Sequence, residues 1–464
     1  MKLMLPTTNY RSHPLQRLLI ALFSLGLCAL LMAPSVLALS DAQQLVVESW
    51  RLVNQAYLDP AKFDQVHWRR LREQALAKPI NNSDEAYAAI ESMLLPLEDP
   101  YTRLLRPHDY NAIKATNLGS EINGVGLQLG ARAEDGQIVV IAPLEGSPAA
   151  DAGVISGTAL LSVDGESPKG LGLEATAARL RGEVGTQVVV MLQPPDGPSE
   201  EVTLERRSVD LRPVRTRRLR SATHTLGYLR ITQFSEGVPE QVKEALQELS
   251  EKGIEGLVLD LRNNSGGLVS SGLAIADDFL SGSPIVETRN REGINEAIPS
   301  ALETLYDGPI VTLVNGGTAS ASEILAGALQ DNGRSQLLGS RTFGKGLIQT
   351  LTNLSDGSGL AATVAGYMTP SGRDIQNQGI EPDRTLDPPE PLNPGGEEDR
   401  WLHDAELWMD AQLDRDQKAQ LDSAEEAQLA EVQLDSAEEA QLAEVQLDSA
   451  AEVQLEAEQN RDDP

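Results

Sequence analysis

Three hydroxyls fall within five residues in the stretch Val314-Asn315-Gly316-Gly317-Thr318-Ala319-Ser320-Ala321-Ser322-Glu323. An apolar run of strand type, Ile310 to Val314, leads into it. Two glycines turn the chain, and a helical pattern runs from Ser320 to Gln330. A hydroxyl at a helix N-terminus meets unpaired amides and the positive end of the helix dipole, so an alkoxide or an oxyanion formed there is stabilised. Ser and Thr are also ordinary N-caps, and capping accounts for the same residues without chemistry.

One lysine, Lys345, stands between Lys252 and Lys418. It occupies Thr342-Phe343-Gly344-Lys345-Gly346, just after the expected strand Gln336 to Gly339, and its glycine neighbours let the backbone come close to a site. A lysine held in an apolar core loses solvation. Its pKa then falls from about 10.4 towards roughly 7–8, the range of a general base at neutral pH. Serine with a lysine base is a known variant of nucleophile-plus-base chemistry. A solvated loop charge is the other reading of Lys345.

Rival chemistries find little support. His67, His108, His224 and His403 are scattered without metal-ligand spacing, and no G-x-S-x-G or H-E-x-x-H motif occurs. Gly339 to Gly346 reads G-x-x-x-x-G-K-G, but Gly346 stands where a phosphate loop needs Ser or Thr for magnesium. Gly124-x-Gly126 alone does not make a dinucleotide site. The only cysteine is Cys28, so cysteine ligands and nucleophiles are not available to the folded part.

The elements that must position these residues divide into textures. A capping box at Ser40 and Gln43 opens a helix to about Tyr57, with further helices expected over 64–77 and 83–94. From Leu118 short β-type runs appear at 125–129, 138–142, 159–163, 188–192 and 202–205, with one helix at 174–181. From Leu226 strands at 226–231, 256–261 and 310–314 alternate with helices at 239–251, 270–280 and 320–330. Continuous Val/Ile/Leu strands between helices predict an α/β domain with a largely parallel sheet.

The 464 residues suit about three domains, and 41% apolar content excludes a wholly disordered chain. Lys and Arg number 38 and Asp and Glu 69, a formal charge of −31, which argues against nucleic-acid binding. A polar start with Arg11 and Arg17, an apolar run from Leu18 to Met32, and Ala33-Pro34-Ser35-Val36-Leu37-Ala38 have the layout of a secretory signal peptide cut after Ala38. An uncleaved anchor is the alternative. After Asp387 comes a Pro/Gly/Glu linker, then the 13-residue repeat QLDSAEEAQLAEV from Gln420, expected as disorder or a frayed, solvated helix.

These pieces resemble the carboxyl-terminal processing proteases, tail-specific Ser/Lys endopeptidases with an inserted PDZ domain. The resemblance is carried by DPYTRLL at Asp99, NGVGLQLG at Asn123, EGSPAADAGV at Glu145, LLSVDG at Leu160 and LRGEVGT at Leu180. It continues through LDLRNNSGGLV at Leu259, VNGGTASASEILAGALQDNGR at Val314 and TFGKGLIQ at Thr342. ESWRLVNQAYLD at Glu48 and EDPYTRLLRP at Glu98 are similar to the cyanobacterial and chloroplast branch, which trims the photosystem II reaction-centre D1 precursor. After the signal peptide (1–38), the resemblance implies an N-terminal helical domain (39–106), an α+β PDZ domain (118–207) and a crotonase/ClpP-like α/β protease core (208–388); the acidic linker and repeat tail (389–464) lie outside it. It implies Ser320 as nucleophile, Lys345 as base and Gln349 as its orienting partner. The oxyanion hole would come from Ala321, Gly266 and Gly267. Gly124, Val125, Gly126 and Leu127 would hold a peptide carboxylate, and Arg181 would bear on the active site as a gate. No cofactor or metal is implied. The partner would be a protein with a free C-terminus, in the thylakoid lumen or periplasm, with at most peripheral membrane association.

Two departures stand out. Ile155-Ser156-Gly157-Thr158 replaces the family's Pro-x-Gly-Asp, and Ser265 replaces the proline of its R-N-N-P-G-G turn.

Overall fold

Ser40 and Gln43 form the capping box read from the sequence, and the helix Asp41–Ala56 follows. The computed structural model describes residues 39–459 apart from 121, 133–134, 210–211 and 222, so the expected signal segment lies outside the described residues. The first helix packs with Trp68–Leu76 and Ser83–Leu94 around Leu45, Val46, Val53, Ile90 and Met93. The helix expected over 64–77 is two: His67 takes a left-handed φ of 55° between Ala61–Gln65 and Trp68–Leu76. The break brings Phe63 onto Trp68 and Trp68 onto Trp50, with ring centroids 5.3 and 6.3 Å apart. A helix not anticipated from the sequence spans Pro107–Asn117.

The β-type runs form a five-stranded antiparallel sheet in chain order: Leu127–Ala131, Ile138–Pro143, Ala159–Val163, Gln187–Gln193 and Glu200–Glu205. Leu127–Ala131 is an edge strand, paired on one side only. The helix Pro168–Leu180 packs over this sheet and is kinked at Gly172.

The alternating region forms a six-stranded sheet. Its order is Val214–Arg220, Thr225–Ile231, Gly256–Asp260, Ile310–Val314, Gln336–Gly339 and Arg384–Thr385, parallel except for the first pair. Gly256–Asp260 and Ile310–Val314 are buried along their whole length, which is why they read as unbroken apolar runs. The helices Val238–Glu251, Val269–Asp277 and Ala321–Asp331 share one apolar core with this sheet, built on residues such as Leu229, Leu257 and Leu259. A second, antiparallel sheet, absent from the sequence reading, joins Arg103–Leu105, Gly359–Met368, Pro284–Arg289 and Asn295–Pro299. Leu347–Asn353 also pairs with Gly359–Met368.

The opposite face of the parallel sheet takes up residues that the sequence assigns to the acidic linker and tail (389–464). The helix Arg400–Gln459 starts on this face, and Trp401, Leu402, Ala405 and Met409 are buried against Leu226, Tyr228, Val258 and Val311. Trp401, Ala405 and Met409 recur every four residues and so share one helical face. The acidic composition around them hid that short stripe. Further along, Leu421, Leu429 and Leu442 are exposed. Among the described residues, no helix is long and apolar enough to cross a membrane.

Candidate active site

Strands Gly256–Asp260 and Ile310–Val314 run parallel as neighbours, so the loops that follow them leave the same end of the sheet. Ligand sites of open α/β sheets lie at such carboxyl ends. Asn315 ties the two loops together. Its Oδ1 accepts from the amides of Asn263 (2.8 Å) and Gly317 (3.1 Å), and its Nδ2 donates to Asn263 Oδ1 (2.8 Å). The Thr318 hydroxyl donates to the Leu261 carbonyl (2.9 Å) and the Ser322 hydroxyl to the Asn264 carbonyl (2.8 Å). Two of the three hydroxyls are therefore committed to joining the loops. The Ser320 hydroxyl donates to no group among the described residues. Ser320 itself has φ 56° and ψ −119°, a conformation that costs a non-glycine residue on the order of 1–3 kcal/mol.

Glu323, fully buried, holds this turn and was not singled out from the sequence. Its Oε2 accepts from the amides of Ser320 and Lys345, each at 2.9 Å. Its Oε1 accepts from the Gly344 amide (2.7 Å) and the Thr342 hydroxyl (2.5 Å). Burial pushes its pKa above the ordinary carboxylate value, while these donors pull it back. The buried Tyr367 hydroxyl lies 2.9 Å from the Ser320 carbonyl oxygen and 2.6 Å from that of Lys345. The sequence signal that could have found Glu323 is the Ser-x-x-Glu spacing of a capping box.

Lys345 is brought to Ser320 through these backbone links. Its ammonium forms no hydrogen bond among the described residues and lies 4.9 Å from the centroid of the Tyr101 ring, a cation–π contact. Burial is the main cause that lowers its pKa to about 8. The Arg103 charge lowers it further, and Glu323 and Asp99 oppose the shift. Gln349 lies on the strand Leu347–Asn353, and its Nε2 is 3.5 Å from Thr363 Oγ1 rather than bonded to Lys345.

The glycine loop adjoins the turn. A side chain at Gly266 would come within 2.9 Å of Ser320 Cβ and 3.0 Å of the Ala321 nitrogen. The Gly266 amide is taken by Asn264 Oδ1 (3.0 Å), which turns back on the residue two ahead, so Gly266 supplies clearance and not a free donor. The amides of Ala321 and Gly267 have no acceptor among the described residues.

Gly124, Val125, Gly126 and Leu127 lie together at a groove of about 540 Å³ between the edge strand Leu127–Ala131 and residues of the helix Pro168–Leu180. His108, Ala112 and Ile113 of the helix Pro107–Asn117 also line it. Arg181 lines the groove but does not reach Ser320: its guanidinium bonds Asp109 (2.6 Å) and Glu174 (3.2 Å). The small sheet nevertheless touches the lysine turn, since a side chain at Gly130 would meet the Phe343 ring at 2.9 Å.

A serine hydroxyl that donates to no group among the described residues, the unpaired amides of Ala321 and Gly267, and a desolvated lysine on a loop tied to the same carboxylate suit acyl transfer. The chain matches Peptidase family S41 over residues 225–386, which gives the class of protein this fold and site define. It is 47% identical over 358 residues to the carboxyl-terminal-processing protease of Synechocystis sp., covering 77% of this chain and 83% of that one. It is 41% identical over 367 residues to the chloroplastic C-terminal processing peptidase of Tetradesmus obliquus, covering 76% and 78%. A solved structure titled photosystem II D1 C-terminal processing protease superposes with a TM-score of 0.69 at 39% identity, covering 76% of this chain and 95% of that one. The chain belongs to the carboxyl-terminal-processing proteases of peptidase family S41 and is a serine-type peptidase.

Proposed function

We propose that Ser320 and Lys345 form the catalytic dyad of an exported endopeptidase that removes a C-terminal extension from a protein. The observation that carries this reading is that Ser320 holds the uncommitted hydroxyl of the turn and shares a buried carboxylate anchor with Lys345, whose pKa is lowered to about 8. Neutral Lys345 Nζ takes the hydroxyl proton as Ser320 Oγ attacks the scissile carbonyl carbon. The oxyanion is met by the amides of Ala321 and Gly267. Collapse of this intermediate breaks the C–N bond, and the proton passes from Lys345 to the departing amine. Water, deprotonated by the same lysine, then hydrolyses the acyl-enzyme. The lysine must leave the Tyr101 ring for this, and Gln349 steadies it in its working position.

Residues 118–207 act as a PDZ domain in this reading, between a helical unit (39–106) and the protease core (208–388). The open edge of Leu127–Ala131 can accept a peptide as an added strand, and Gly124 to Leu127 can hold its terminal carboxylate. Arg181 gates the dyad by changing partners. The layout of residues 1–38 supports export. The likeness to the photosystem II D1 processing protease supports the D1 precursor as substrate.

The experiment is to incubate the protein with a substrate bearing a C-terminal extension and follow its mass. Shortening by wild type and none by Ser320→Ala or Lys345→Ala is the expected result. Wild-type turnover in either variant, or binding without shortening, overturns the reading; the latter would mark an inert PDZ scaffold.

A further inference from the structure

Two carboxylates, Glu390 and Asp399, lie beyond residue 386, where the match to the peptidase family ends. Both reach back to the roots of the candidate active-site loops. Glu390 Oε2 accepts from Asn315 Nδ2 (2.9 Å), and its Oε1 from the Ser340 hydroxyl (2.5 Å). Asn315 is the side chain that joins the glycine loop to the serine turn, so Glu390 fixes the joint from behind. Asp399 forms a buried two-pronged pair with Arg262, Oδ1 to Nη1 at 2.9 Å and Oδ2 to Nη2 at 2.6 Å. Arg262 is braced on its other side by Asp260, and the next residues, Asn263 to Gly267, are the glycine loop itself. Asp399 also accepts from the Leu402 amide (3.1 Å) and the Gly395 amide (2.6 Å), so it anchors the start of the long helix. That start is clamped to the sheet by Trp401.

We infer that residues 387–413 are a strap that sets the position of the glycine loop, with Glu390 and Asp399 as its positioning residues. The inference rests on the proposed dyad and adds that its oxyanion donors are held in place from outside the family core. The loop is pinned at its start through Asn263 and Asn264 and at the Gly266 carbonyl, while the Gly267 amide meets no acceptor among the described residues. The bidentate Arg262–Asp399 pair adds definition at the root of that loop, because it fixes orientation as well as distance. Small displacements of an oxyanion donor cost rate while ground-state binding is left alone.

The test is steady-state cleavage of a C-terminally extended peptide by the full chain carrying Glu390→Gln, Asp399→Asn, Ser320→Ala or Glu398→Gln, with Tm measured for each. Glu398 is an exposed neighbour and serves as the control. In Glu390→Gln and Asp399→Asn, kcat should fall about tenfold or more while KM stays within about twofold, and at an assay temperature well below Tm. Glu398→Gln should match wild type, and Ser320→Ala should be inactive. Unchanged kcat in both strap variants, or a loss confined to KM, overturns the strap while leaving the dyad intact. Activity in Ser320→Ala overturns the dyad and the strap with it. Glu390→Gln decides the matter should Asp399→Asn fold poorly, since Glu390 is half-buried and one of its two bonds survives in the amide.

Discussion

The amides of Ser320 and Lys345 donate to one and the same oxygen, Glu323 Oε2, each at 2.9 Å. The two residues come from different loops, yet their backbones are registered to a common point before either side chain moves. Tyr367 spans their carbonyls in the same way. The turn is thus rigid where register matters, and the freedom left is in the side chains. Lys345 spends it on the Tyr101 ring, one rotation of a long flexible stem away from other positions.

Activity should follow the protonation of Lys345. A base must be neutral, so kcat/KM should rise about tenfold per pH unit below roughly pH 8 and level off above it. Arg103 is among the causes of the lowered pKa, so Arg103→Met should raise it and move the rising limb to higher pH. Initial rates from pH 6 to 10 check both. A limb that does not move in the variant would remove Arg103 from the account.

Glu323→Gln keeps the shape of the side chain but turns an NH2 group toward two of the four donors that Glu323 now accepts. Leaving buried donors unpaired costs about 1–3 kcal/mol each. Tm should fall by several degrees, and kcat should fall at least tenfold, because both loops lose their common anchor. Calorimetry with a kcat measurement on the folded variant checks this. A variant that is less stable yet turns over normally would reduce Glu323 to a structural role.

Much of this was legible in the sequence, for reasons that can be named. The strands Gly256–Asp260 and Ile310–Val314 are buried on both faces, and double burial writes an unbroken apolar run. The capping box at Ser40 is local chemistry, and so is the helix start after Gly316-Gly317. The antiparallel sheet was not legible. Leu347–Asn353 is only partly buried and reads T-L-T-N at its end, and Arg103–Leu105 is three residues long. Glu390 and Asp399 were missed because the partners that tie them to the site lie 50 to 137 residues away, beyond any spacing rule, and Glu323 because its Ser-x-x-Glu spacing shows a cap but not the Thr342, Gly344 and Lys345 donors 19 to 22 residues on. The packed start of the last helix was masked by acidic neighbours. Gly266 was misread as a donor because a motif does not show that Asn264 takes its amide.

Gly266→Ala should abolish activity with a smaller effect on substrate binding. Its φ of +99° suits glycine, and an added Cβ would press on Ser320 Cβ and the Ala321 nitrogen. The loss expected on disturbing one oxyanion donor is about 10²–10³ in kcat. Burst and steady-state kinetics check it, and a fall in kcat of less than about threefold would show that the Ala321 amide is not needed where it now lies.

Asp109→Asn should loosen Arg181. The 2.6 Å pair between their largely buried side chains ties the groove to the helix Pro107–Asn117. Losing the carboxylate leaves the guanidinium with Glu174 alone. If Arg181 gates the dyad by changing partners, basal cleavage of short peptides should rise several-fold, and Arg181→Ala should cancel the gain. Comparison of the two single variants with the double variant checks the coupling.

The last helix should divide sharply into a part the fold needs and a part it does not. Trp401 is 1% exposed and fills the face of the sheet beside Leu226 and Val258, whereas Leu429 is 58% exposed. Trp401→Ala opens a cavity and should cost about 3–5 kcal/mol. Leu429→Ala should stay within about 0.5 kcal/mol of wild type. Urea unfolding of the two variants measures the difference directly. Because Trp401 lies within the strap (387–413), two residues past Asp399, its loss should also lower kcat under conditions where the protein remains folded, and Leu429→Ala should not. Equal stabilities for the two variants would mean that the buried stripe of Trp401, Ala405 and Met409 does not hold the helix to the sheet.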